Sequence, residues 1–155
     1  MGGHPSNLAQ EVHAMMTVSR LRNWCPLIAA VVLGFAPGAF AQELKLMLSG
    51  DAEVPPARTP ASGAAMITVS PDRMISGAVT TSGMKGTMAH IHEAAAGANG
   101  PVAIPLVQDG DGRWAVPAGV KLNDAQYQAL KAGKLYVNVH SAQFPGGEVR
   151  AQLQP

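Results

Sequence analysis

The feature of this 155-residue chain that most restricts its fold is a strict alternation of apolar and polar residues, repeated in short runs. "ELKLML" (Glu43 to Leu48), "AAMITVS" (Ala64 to Ser70), "RMISGAVTT" (Arg73 to Thr81) and "TMAHIH" (Thr87 to His92) show it first. "VAIPLV" (Val102 to Val107), "RWAV" (Arg113 to Val116), "KLYVNVH" (Lys134 to His140) and "GEVRAQL" (Gly147 to Leu153) continue it. A period of two sends successive side chains to opposite sides, which is the periodicity of a half-buried strand. Segments such as "SPDR", "SGMKG", "GANGP", "DGDG" and "FPGG" supply the Gly, Pro, Asn and Asp that bends require. The expected fold is all-β, an antiparallel β-sandwich of Greek-key or immunoglobulin-like type built from about eight short strands. One short helix is also expected. "NDAQYQALKAG" offers Asn123 as N-cap, Tyr127 and Leu130 at helical spacing, Lys131 in the last turn and Gly133 as a stop.

With 47% hydrophobic and 14% charged residues the chain is ordinary globular material. Its first forty residues follow other rules. Arg20 and Arg22 precede an uncharged apolar run from Trp24 to Phe40, and "AFA" (Ala39 to Ala41) supplies a small-x-small cleavage site, the layout of a secretory signal peptide. Residues 1–41 are therefore expected to be an N-terminal extension plus leader, with Met15 and Met16 as an alternative start, and residues 42–155 the mature domain. An uncleaved anchor is the competing reading. The run is short for a membrane span, and Pro26, Gly34 and Pro37 weaken it. Cys25 opens the apolar run, whereas a lipoprotein needs its Cys at the end. The expected location is periplasmic or secreted, with no stable membrane anchor after cleavage.

From Gln42 onward the chain holds nine Lys plus Arg and nine Asp plus Glu, a balance of nine minus nine, or zero. No basic field for nucleic acid or anionic lipid follows. It also holds no Cys, so the domain has to rest on its core.

Alternation also assigns faces. On "TMAHIH" the set Thr87, Ala89 and Ile91 is expected inward, and Met88, His90 and His92 on the other side. Leu135, Val137 and Val139 point in on "KLYVNVH", which leaves Tyr136, Asn138 and His140 outward. On "GEVRAQL" the outward set is Glu148, Arg150 and Gln152. Two residues at i and i+2 on a strand lie about 6.5 to 7 Å apart on one face, close enough for both imidazoles to reach one metal. Should His140 join His90 and His92, three neutral nitrogens would suit zinc, copper, iron or nickel. Met88 on the same face adds a soft thioether that tilts the choice towards copper, and Tyr136, Asn138 and Glu148 are candidates to orient a ring N–H. The opposing reading is a solvated polar face. On it, Glu148 and Arg150 form a structural ion pair, or the residues Tyr136, Asn138, Glu148 and Arg150 contact a partner protein of the envelope or the extracellular space. No Gly-x-Ser-x-Gly is present, and the "GANGP" loop lacks the Lys and Ser or Thr of a phosphate cradle.

"LSGDAEVPP" (Leu48 to Pro56), "AHIHEAAAGANGPV" (Ala89 to Val102), "LKAGKLYVNVHS" (Leu130 to Ser141) and "PGGEVRAQL" (Pro145 to Leu153) resemble the successive blocks of the CHRD domain. That module was first described in chordin and occurs in many exported bacterial proteins. The resemblance implies an exported all-β module of unassigned activity and not an enzyme. It matches the motif histidines to His90, His92 and His140, and the Glu and Arg of the last block to Glu148 and Arg150. Two departures are visible, Ala94 and Ala151, where Gly is commoner in the family. The H-x-H strand is also superficially similar to copper/zinc superoxide dismutase. With three His and no Cys after Gln42, the dinuclear site of that enzyme is excluded, and a mononuclear copper centre is not. The readings carried forward are a binding module holding copper or zinc through three His, a metal-free interaction domain, and, third, a mononuclear copper metalloenzyme.

Overall fold

The computed structural model describes residues 41–155. The leader assigned to residues 1–41 lies outside the described residues but for its last position. The strands are β1 (Gln42–Ser49), β2 (Ser62–Val69), β3 (Ile75–Ser82), β4 (Gly86–Glu93), β5 (Val102–Pro105), β6 (Val107–Gln108), β7 (Arg113–Ala115), β8 (Leu135–Ser141) and β9 (Val149–Leu153). A single 3-10 turn, Gly50–Ala52, follows β1, and α1 (Asp124–Lys131) precedes β8. Each strand coincides with one of the alternating runs, and Asn123 caps α1 as expected. The Asn123 side chain accepts from the Gln126 N–H, and the Gln126 side chain accepts from the Asn123 N–H, a reciprocal capping box.

All strands belong to one antiparallel sheet in the order β5-β4-β8-β9-β1-β2-β3-β7-β6. The run expected as a single strand, Val102 to Val107, is divided at Leu106. Its first part pairs with β4 at one edge of the sheet and its second with β7 at the other. The Leu106 N–H bonds the carbonyl of Ala89 at 2.9 Å, so one stretch of chain supplies both edges and the sheet nearly closes on itself. Closure removes the unpaired strand edges on which sheets aggregate. β1 and β9 meet in a single register pair, Ser49 with Arg150.

The curled sheet encloses one core. Ile67, Val79, Ile91, Leu130, Val137, Val139, Val149 and Leu153 are all fully buried there, and they come from β2, β3, β4, β8 and β9 and from α1. Burying each such side chain contributes about 1.5 to 3 kcal/mol, which is how a domain with no Cys from Gln42 onward holds together. The faces expected for β4, β8 and β9 hold, Thr87 excepted, which is exposed. Among the described residues no helix is long and apolar enough to cross a membrane.

Candidate metal centre

β4 and β8 are direct neighbours, with Met88 opposite His140, His90 opposite Asn138 and His92 opposite Tyr136. That register puts the three histidines on one face, and one nitrogen from each lies within 4.8 Å of the other two. The His90 and His140 rings stand 5.0 Å apart at their centroids, and those of His90 and His92 5.4 Å.

Backbone carbonyls set the protonation of two of the rings. His92 donates its Nδ1 proton to the carbonyl of Gly100 at 3.0 Å, and His140 donates its Nδ1 proton to the carbonyl of Pro145 at 2.9 Å. In neutral imidazole the other nitrogen is then a lone pair. His92 Nε2 is buried and has no hydrogen-bond partner. His140 Nε2 lies 3.1 Å from His90 Nδ1, which donates to it. Shifting that one proton to the far nitrogen of His90 turns all three inward atoms into lone pairs. Burial, chiefly, holds the His90 and His140 rings below their ordinary pKa of 6.5; repulsion from the neighbouring imidazoles adds to it, and the Pro145 bond to His140 works against it. Neutral rings are the form that ligates.

The donor set fits a metal ion. Three nitrogens bound at about 2.0 to 2.1 Å sit roughly 3.3 to 3.6 Å from one another, so the widest separation has to close by at most about 1.2 to 1.5 Å. An orphaned buried lone pair such as His92 Nε2 costs the fold free energy unless something satisfies it.

Most of the outward face of β4, β8 and β9 is covered, against the reading of a solvated polar face; Met88 stays exposed, and His90 and Gln152 are partly so. His92, Tyr136, Asn138, His140, Glu148 and Arg150 are all buried. The chain between β4 and β5 folds back over them. The Arg150 guanidinium donates to the Ala98 carbonyl at 2.9 Å and to Asn99 Oδ1 at 3.2 Å, and Gln152 donates to the Ala94 carbonyl at 2.9 Å. The Gly100 N–H donates to the Tyr136 hydroxyl at 3.3 Å. Tyr136, Asn138, Glu148 and Arg150 are thus buried side chains, and the bonds just named are internal.

Nor do Glu148 and Arg150 pair with each other. Glu148 Oε1 accepts from the Thr59 hydroxyl at 2.6 Å. Arg150 lies over the Tyr136 ring at 3.4 Å from its centroid, and Tyr136 stacks flat on His92 at 4.8 Å. The result is a column of guanidinium, phenol and imidazole that holds the His92 ring in one orientation. Of the expected orienting residues, Tyr136 touches His92; Asn138 and Glu148 orient none of the three rings. Met88 is 46% exposed beside the trio.

Three contributors escaped the sequence reading. Gly100 and Pro145 act through backbone carbonyls, which side-chain patterns do not reveal. A Cβ on Gly100 would collide with the carbonyl of Glu93, so glycine alone lets that loop come close enough to reach His92. The acid held near Arg150 is Glu53, 97 positions away by 150 minus 53; its burial pushes its pKa above the ordinary 4.5 while Arg150 and Asn138 oppose that.

No curated protein and no solved structure matches the chain. A family model does, the CHRD domain, over residues 44–153. The match runs from the first strand to the last and takes in all three histidines, the loops that fix two of them and the Arg150 column. This chain belongs to the CHRD domain family.

Proposed function

We propose that the protein is an exported metal-binding module in which His90, His92 and His140 hold one transition-metal ion, copper before zinc. The observation that carries this reading is His92 Nε2, a buried lone pair with no protein partner that shares a face with two further ring nitrogens. When bound, the ion would supply a Lewis-acidic centre with room for one more ligand. The chain's own part is to hold His90 and His140 neutral by burial and to aim His92 and His140 through Gly100, Pro145 and Tyr136. Met88 supports the choice of copper, because a partly exposed thioether opposite His140 suits a soft ion. Arg20, Arg22, the apolar run and "AFA" support export and a mature start at Gln42.

The test is metal analysis of the full chain after loading with copper or zinc and exhaustive dialysis. The expected result is close to one ion per chain, with copper retained in competition against zinc and retention abolished in His92→Ala and His140→Ala. Loss of both metals from the unaltered protein on dialysis would overturn the reading. Intact mass of protein exported from its host is expected to show a chain beginning at Gln42.

A further inference from the structure

A cavity of about 450 Å³ opens between the loop after the 3-10 turn and the loop joining β8 to β9. Pro55, Pro56, Phe144 and Pro145 give it apolar walls. Glu53 is the one charged residue that lines it; it is only 4% exposed, and its Oε1, beside Asn138, is buried with no well-formed hydrogen bond. That atom rests against Gly147, which has a φ of 131° and where any Cβ would collide with the carboxylate. Only glycine lets the backbone of this loop pack so close to the carboxylate.

We propose that this cavity binds a small organic cation, its ammonium group paired with Glu53 and its hydrocarbon stem against the proline and phenylalanine walls. The size is that of a small-ligand site, and apolar walls around one polar anchor are the usual composition of such a site. An ionised carboxylate only accepts hydrogen bonds, so the group that satisfies Oε1 has to be a donor. Arg150 and Asn138 offset the burial of Glu53 only in part, and its pKa stays raised. A cation arriving from the cavity stabilises the charged form further. The proposal does not depend on the histidines, although Pro145 both lines the cavity and accepts the His140 proton.

The test is an amide-resonance titration of the full isotope-labelled chain, with a chelator present so that the histidine trio takes no part. Three probes of matched shape are used: phenethylammonium, phenethyl alcohol and hydrocinnamate. The expected result is saturable shifts at Glu53, Gly146 and Gly147 with phenethylammonium, at a Kd of about 1 mM. The alcohol should bind at least about tenfold more weakly, hydrocinnamate should not bind, and Glu53→Gln should weaken the ammonium by about tenfold or more. The proposal is overturned if phenethylammonium gives no saturable shifts, if the alcohol matches it, or if folded Glu53→Gln binds it equally well. Should Glu53→Gln fail to fold, the ranking of the three probes on the unaltered chain decides alone.

Discussion

The Nδ1 of His92 and the carbonyl oxygen of Gly100 lie 3.0 Å apart, and through that contact a turn glycine decides which nitrogen of a buried histidine is free to bind. The same glycine's N–H meets the hydroxyl of Tyr136, the ring on which His92 stacks. One residue with no side chain therefore holds both the proton and the plane of the imidazole.

Gly100→Ala should weaken metal binding without removing a ligand. The added methyl collides with the Glu93 carbonyl, so the loop has to lift and the Gly100 carbonyl leaves His92. Loss of such an orienting partner typically costs about 10- to 100-fold in affinity. Competitive chelator titration of copper measures it; an unchanged affinity would mean that the carbonyl is not what orients the ring.

Acid should destabilise the metal-free protein, because His90 and His140 titrate below their ordinary value of 6.5 when folded. Between the ordinary and the folded pKa the unfolded chain binds more protons than the folded one, so stability is full above pH 6.5 and falls as pH drops through that window. Copper affinity should fall in the same direction, since protons compete for the ligand nitrogens. Glu53 acts with the opposite sign, its raised pKa costing stability as pH climbs from 4.5 through the folded value. Thermal unfolding at a series of pH values, compared with His140→Gln, isolates the histidine contribution; a variant that keeps the full slope would refute the assignment.

Arg150→Ala should be the most damaging single substitution on the outer face. It removes a side chain only 2% exposed, together with its bonds to the 98–99 segment and its stack on Tyr136, and leaves Glu53 without a counter-charge. Breaking a buried charge arrangement in this way costs about 3 to 5 kcal/mol, a large share of the roughly 5 to 15 kcal/mol typical of a whole domain. The loss should be larger at pH 8 than at pH 5, where Glu53 can take up a proton. Urea unfolding at both pH values checks the size and the pH dependence.

Asn123→Ala should cost about 1 kcal/mol, because the Gln126 N–H loses its side-chain acceptor, while the backbone N–H of residue 123 still donates to the Gln126 side chain. The melting temperature should fall by roughly 3 to 6 °C, with metal content unchanged. A change in copper affinity would show that α1 is coupled to the site.

The strands, the helix with its caps and the inward faces of β4, β8 and β9 were legible in the chain because each depends on residues a few positions apart. Alternation tells which way a side chain leaves its own strand, and Asn123 finds Gln126 within one turn. Val102 to Val107 shows where that legibility stops. Nothing local tells that Leu106 divides a run whose halves join opposite edges of the sheet.

By itself the sequence determined an all-β scaffold and put three histidines on the non-core side of their strands. Only the tertiary structure decided that the strand of His90 and His92 lies beside that of His140, and that this face is roofed by the chain between β4 and β5 instead of by water. The physical reason is range. Side-chain direction is a property of one dihedral pattern, whereas strand partnership and loop cover come from contacts between residues some fifty positions apart, such as His90 with His140 and Arg150 with Asn99. Those contacts turn a polar stripe into a buried cluster with one nitrogen left over.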